Sequence, residues 1–203
     1  MKLIGMLDSP YVRRTAICLT LLGLDYEHDP LSVFRTFDAF ARINPVVKAP
    51  TFVLDDGQVL MDSTLIIDYA AGLPQARRPL WPDDGAARAR AYALTGLALA
   101  AAEKAVQLVY EDLLRPEDKR HGPWVARVTG QLMAALATLE AQLATAPLST
   151  DVEAWGVAEV TIAVVWQFIP AMLKGVDAAQ YPRLAALSAV AEQHPLFVAL
   201  PGV

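Results

Sequence analysis

The sequence predicts an α/β layer of order βαβαββα followed by an all-helical half, and three observations carry that prediction. Every strand-like run falls in the first third of the chain, and two of them are joined around Asp56-Gly57, a strong hairpin signal. Residues 72–84, G-L-P-Q-A-R-R-P-L-W-P-D-D, place three prolines within nine residues and read as a linker. Beyond that stretch the apolar spacing is helical throughout.

Residues 2–7 form a short apolar run that ends at Asp8-Ser9-Pro10. Pro10 suits a first helical turn, where its missing N–H would be unpaired anyway, and Ser9 becomes the N-cap. Val12, Ala16, Leu19 and Leu22 then recur at helical spacing, and Gly23 is placed to end the helix in the left-handed conformation. Residues 24–29 read as a second strand. Val33, Phe34, Phe37, Phe40 and Ala41 make a helical stripe that stops at Asn44-Pro45. Residues 51–54 and 59–61 are the hairpin strands, and Asp62-Ser63 precedes a helix over 64–71 that Gly72 stops.

The domain reading is therefore 1–76, a linker at 77–85, and a helical domain over 86–203. In that second half Asp84 caps an Ala-rich helix running to about Leu114. A second helix starts at Arg115-Pro116-Glu117-Asp118 and continues past His121-Gly122-Pro123 to about Ala144. Residues 156–173 form a buried apolar helix, residues 178–192 another, and a short tail follows Pro195.

Bulk composition narrows the function. With 203 residues, 55% of them hydrophobic and 19% charged, the chain has ample material for a core. A net charge of −5 argues against a nucleic-acid partner, because phosphate binding needs a basic face. The single cysteine, Cys18, excludes an internal disulfide, and no run is long enough to cross a bilayer, so a cytoplasmic address is expected. No metal-ligand spacing and no Gly-rich phosphate loop is present.

Three places can carry chemistry, and each has a plain alternative. Ser9 at a helix N-cap is most often only a cap, but its hydroxyl and the positive helix end can also stabilise a bound anion such as a thiolate. His28, His121 and His194 lie in no context that would make Ser9 a nucleophile. Pro50 is either an ordinary trans proline at the start of a strand or a cis proline that exposes the backbone of Ala49 to an extended peptide. Asp62-Ser63 is either a capping pair or a receptor for an α-amino acid end, Asp62 taking the ammonium group and the helix N-terminus with Ser63 taking the carboxylate. Lys48 is available for a second carboxylate. Where a redox protein would show C-x-x-C the chain reads Ser9-Pro10-Tyr11-Val12, which removes disulfide exchange.

The stretches S-P-Y-V-R-R at 9–14, I-N-P-V-V-K-A-P-T-F-V-L-D-D-G at 43–57 and M-D-S-T-L-I-I-D-Y at 61–69 resemble the bacterial, serine-type, theta-like glutathione S-transferases. The resemblance is good over residues 1–75 and looser beyond. It implies a thioredoxin-like N-terminal domain, a helical C-terminal domain and a homodimer. It also implies that Ser9 hydrogen-bonds the glutathione sulfur and that Lys48 approaches the glycyl end. Ala49, before cis-Pro50, would pair with the cysteinyl backbone, and Asp62 and Ser63 would hold the γ-glutamyl group. Arg13 would add positive potential, and a small hydrophobic electrophile would lie between the domains near Tyr11 and Tyr110. Glutathione is then the co-substrate, with no metal. A non-catalytic binding or regulatory protein, or a glutathione-dependent isomerase, lyase or peroxidase, shares the same pattern.

Three positions depart from that family pattern. Ala49 replaces the usual valine, Val46-Val47 replaces the commoner L-G before Lys48, and Gly156-Val157-Ala158-Glu159 replaces a helix cap of Ser or Thr with Asp.

Overall fold

The computed structural model describes all residues, Met1–Val203, and divides the chain into two compact units. The first comprises Met1–Trp81 together with His194–Val203, and the second Pro82–Gln193. The return of the last ten residues to the first unit differs from a helical domain running continuously to 203.

In the first unit, β1 (Lys2–Ile4), α1 (Pro10–Leu21), β2 (Glu27–Asp29), α2 (Phe37–Ile43), β3 (Thr51–Val53), β4 (Val59–Met61) and α3 (Ser63–Ala71) follow one another in the βαβαββα order read from sequence. The sheet order is β2-β1-β3-β4. β1 pairs parallel with β2, Leu3 opposite His28, and antiparallel with β3, Leu3 opposite Phe52. β3 and β4 close the antiparallel hairpin with Phe52 opposite Leu60. Leu3, Ile4, Phe52, Val12, Ile17, Phe40 and Ile66 are all fully buried and form the core.

Two elements are shorter than expected, for local reasons. The N–H of Leu24 bonds to Leu19 and that of Gly23 to Thr20, so residues 22–24 complete the C-terminal cap of α1, with Gly23 at φ +69°, and the strand begins only at Glu27. The Ser32 hydroxyl accepts from the N–H groups of Phe34 and Arg35, at 3.2 and 3.1 Å, so the start of the apolar stripe is a turn. Phe34 and Phe37 are 54% and 52% exposed, and of the stripe's aromatic residues only Phe40 reaches the core.

The second unit packs α4 (Gly85–Leu113), α5 (Gly122–Thr145), α6 (Val157–Met172) and α7 (Pro182–Gln193) against one another. Ala98, Ala101, Ala102 and Ala105 are fully buried, which lets neighbouring helices approach α4 closely. Asp84 caps α4 as expected, its carboxylate accepting the N–H of Ala87 at 2.7 Å. The single helix expected from residue 115 to 144 is instead one 3-10 turn, Glu117–Lys119, and a fresh start at Gly122. Pro123 explains the break: inside a continuous helix it would lack an N–H for the Lys119 carbonyl and its ring would clash there, so it is accommodated in the first turn of a new helix. Pro182 disfavours helical backbone at Tyr181 and divides the expected 178–192 helix into a 3-10 turn, Ala178–Gln180, and α7. At α6 the Glu159 carboxylate accepts the Gly156 N–H at 3.0 Å, so the side-chain half of the capping box is present, while glycine has no side chain to return the bond.

α8 (Pro195–Ala199) belongs to the first unit, with Phe197 fully buried.

Candidate functional site

Ser9 stands half-buried at the N-terminus of α1, with extended backbone and its hydroxyl accepting the N–H of Val12 at 3.4 Å. That bond is long enough to be weak, so the hydroxyl proton and a lone pair remain for another group. The first turn of the helix adds its own positive potential.

The peptide bond between Ala49 and Pro50 is cis. Ala49 lies just outside the β1–β3 ladder, whose last pair is Ile4 opposite Thr51. Gly5, at φ +135°, makes room for this arrangement: a Cβ there would stand 2.7 Å from the Val12 side chain and 3.1 Å from Ala49 Cβ. Glycine at position 5 thus lets the first turn of α1 and the loop before β3 meet over one backbone atom.

That loop is braced by residues that the sequence reading treated only as a helix stop and a strand. Asn44, 3% exposed, donates through Nδ2 to Thr51 Oγ1 at 2.8 Å, and its Oδ1 accepts the N–H of Val46 at 3.0 Å. The hydroxyl of Thr51 in turn donates to the Lys48 carbonyl at 2.7 Å. Lys48 itself is exposed, and Val47 has φ +52°, a left-handed conformation unfavourable for a β-branched residue.

Asp62 has φ +75° and caps α3, its carboxylate accepting from Thr64 and Leu65 N–H at 2.9 and 3.3 Å. Ser63, 4% exposed, opens the helix. Its Oγ accepts a hydrogen bond of 2.8 Å from Arg14 Nη1, which also reaches Thr64 Oγ1 at 3.3 Å. Arg14 is fully buried, and sequence reading missed it. The only available signal was its place five residues past Ser9, on a helix whose other positions read as core. Burial lowers the Arg14 pKa from its ordinary value, while Cys18, Asp62 and Tyr11 pull it back up. Burial pushes the Cys18 thiol up to about 12 against the opposing pull of Arg14 and Arg78, as befits a core thiol.

Arg13 requires a correction. It was expected to add positive potential at the site of Ser9 and Tyr11, but its side chain is 1% exposed, with Nε donating to the Leu200 carbonyl at 2.8 Å and Nη2 to the Phe197 carbonyl at 3.4 Å. Its guanidinium also lies 5.6 Å from the Phe197 ring centroid. Tyr11, on the first turn of α1, is half-buried. Tyr110, 43% exposed on α4, lines a groove of about 590 Å³ within the helical unit, with Gln107, Leu114, Pro116 and Trp124.

His28 bonds Gly5 O at 2.8 Å and the His194 ring accepts the Leu196 N–H, whereas His121 stands at the N-cap position of α5 without a side-chain capping bond. No group of three or more His, Cys, Asp or Glu side chains is assembled to hold a metal ion, and no helix is long and apolar enough to cross a membrane.

Residues 3–78 match the family model for the glutathione S-transferase N-terminal domain. A glutathione S-transferase of Methylobacterium radiotolerans, solved with glutathione sulfonate, is 25% identical with a TM-score of 0.88, covering 100% of this chain and 95% of that one. A glutathione transferase family member of Pseudomonas fluorescens Pf-5, solved with S-(propanoic acid)-glutathione, is 28% identical with a TM-score of 0.81 and full coverage of both chains (100% each). The maleylacetoacetate isomerase of Pseudomonas aeruginosa is 28% identical over 97% of this chain and 93% of its own. Residues 3–78 thus match the glutathione S-transferase N-terminal domain family, and the thioredoxin-like first unit with the helical second unit gives the chain the glutathione S-transferase fold.

Proposed function

We propose that this protein binds glutathione and activates its thiol for attack on a small hydrophobic electrophile. The observation that carries the reading is Ser9: a weakly engaged hydroxyl at a helix N-terminus, on a helix that meets the Ala49-Pro50 loop and is bonded through Arg14 to Ser63. Ser9 donates to the sulfur and favours its thiolate. Ala49 pairs backbone to backbone with the cysteinyl residue, beside Pro50, and Lys48 meets the glycyl carboxylate. Asp62 takes the γ-glutamyl ammonium group. Because Asp62 already accepts the N–H groups of Thr64 and Leu65, the N–H and O–H of Ser63 are the donors that the first turn of α3 offers the γ-glutamyl carboxylate.

Magnitudes indicate which part of the site matters most. A free thiol with a pKa of about 8.5 is only a few per cent ionised at neutral pH, and lowering it by ~2 units requires ~2.7 kcal/mol. A partly exposed helix terminus contributes about 0.3–1 kcal/mol, whereas a hydrogen bond to a charged acceptor contributes about 1.5–3 kcal/mol. The Ser9 hydroxyl is therefore the larger contributor.

The groove around Tyr110 and Trp124 offers aromatic faces to a hydrophobic co-substrate, beside the charged side chains of Glu111, Arg115 and Lys119. Exposed apolar pairs, Val59 with Met61 and Leu65 with Tyr69, support a homodimer, and a cytoplasmic site of action completes the proposal. The relation to a maleylacetoacetate isomerase favours a second reading, in which the same thiolate adds reversibly to an unsaturated substrate and isomerises it. A non-catalytic binding protein is the remaining alternative. Titration with glutathione, following heat of binding and the ultraviolet absorbance of thiolate together, tests the proposal. Binding with thiolate supports an enzyme, binding without it a carrier, and no binding overturns the reading.

A further inference from the structure

The buried contact between Arg14 and Ser63 has a chemical direction. A guanidinium has five N–H donors and no acceptor, so at 2.8 Å from Arg14 Nη1 the Ser63 oxygen can only accept. The single hydroxyl proton of Ser63 is then repelled from the guanidinium and has to point elsewhere. We propose that Arg14 is the positioning residue that commits Ser63 to donate to the γ-glutamyl carboxylate of glutathione, and that its buried charge makes this end of the site selective for that carboxylate. The inference rests on the glutathione reading given above.

Three further observations fit this role. Arg14 also donates to Thr64 Oγ1, so one guanidinium orients two successive hydroxyls at the start of α3. It projects from α1 five residues after Ser9, which makes a single rigid helix responsible for the geometry at both ends of the ligand. Asp62 attracts Arg14, and the same carboxylate is held by backbone N–H groups of α3. Cation, carboxylate and donor hydroxyl thus alternate as an amino acid zwitterion requires. Burying a guanidinium is costly unless its charge is answered, and a ligand carboxylate on Ser63 would bring a further anion near Arg14 beside Asp62.

Two ligands test the idea calorimetrically: glutathione, and the analogue whose γ-glutamyl group is replaced by 4-aminobutyryl, which lacks only that carboxylate. Wild type should prefer glutathione by on the order of 10- to 100-fold. Arg14→Met should remove most of this preference by weakening glutathione while leaving the analogue nearly unchanged. Ser63→Ala should do the same, and the double variant should lose no more than Ser63→Ala alone. Arg14→Lys keeps the charge and three donors on one nitrogen but loses the planar fork, so it should retain part of the preference and keeps the test open should the methionine variant not fold. Equal weakening of both ligands, an intact preference in Arg14→Lys and any folded Arg14→Met, or additive losses in the double variant would overturn the positioning role alone. If wild type bound no glutathione, the functional reading would fall and this inference with it.

Discussion

The Nε of Arg13 donates to the carbonyl of Leu200 across 187 residues of sequence, at 2.8 Å. Its Nη2 reaches the carbonyl of Phe197, whose ring lies under the guanidinium. One buried side chain thus fastens the C-terminal segment to the helix that begins at Ser9. Two hydrogen bonds from a charged donor and a desolvated cation–π contact together outweigh what a surface ion pair gives.

Replacing Arg13 with Ala should therefore lower the unfolding free energy by about 2–4 kcal/mol and expose residues 194–203 to exchange. Arg13→Lys, which keeps the charge but loses the fork, should recover less than half. Denaturant titration and amide hydrogen exchange of the tail check both. A tail that stays protected in Arg13→Ala would show that the anchor lies elsewhere.

For Ser9→Ala, the pKa of bound glutathione should rise by about 1–2 units, the equivalent of a lost hydrogen bond to a thiolate. Conjugation at neutral pH should then fall about 10- to 100-fold, with glutathione affinity changed by less than about fivefold. The thiolate absorbance of the bound ligand against pH reads the shift directly. Turnover at the wild-type rate would remove Ser9 from the mechanism.

Cys18 makes the protein sensitive to alkali. The unfolded thiol ionises near 9, whereas the folded one keeps its proton to about 12 because burial opposes the charge. The unfolded chain sheds its proton first, so stability falls as pH rises through that window, with a slope of up to about 1.4 kcal/mol per pH unit from this group. Melting curves at increasing pH should show that slope in wild type and lose it in Cys18→Ala. A thiol reagent should likewise react with the native protein no faster than it opens.

Val47→Gly should stabilise the fold. A β-branched residue at φ +52° costs about 1–2 kcal/mol, and glycine's greater freedom in the unfolded chain returns about 0.4–1 kcal/mol of that gain. The net expected increase is about 0.5–1 kcal/mol, or about 2 °C in melting temperature. An unchanged or lower melting temperature would mean that the valine side chain contributes packing that outweighs its backbone.

Much of the first unit was legible because its signals are local. Ser9-Pro10, Asp56-Gly57 and Asp62-Ser63 each act on their own few residues, and the strands, caps and hairpin formed where those residues stand. The failures share a cause as well. Val33 and Phe34 fit a helical stripe, but the Ser32 hydroxyl captured the N–H groups of Phe34 and Arg35 first, and the helix starts only at Phe37. Pro123 and Pro182 each broke a helix that apolar spacing alone would have continued. Arg13 and Arg14 were indistinguishable as text, yet one binds the C-terminal segment and the other the start of α3. Glu140, on α5, accepts from the N–H groups of Arg183 and Leu184 and caps α7 from another helix. Such long-range partners leave no mark in the local sequence.

The return of His194–Val203 to the first unit means that the thioredoxin-like domain is discontinuous in the chain, with the helical unit as an insertion within it. During synthesis residues 1–81 emerge first, but the carbonyls that Arg13 binds follow only after the whole of Pro82–Gln193. At about 5–20 residues per second, Arg13 waits on the order of ten seconds for its partners. Until then the hydrogen bonds from Arg13 to Phe197 and Leu200 cannot form, and they are completed by the docking of a helix five residues long.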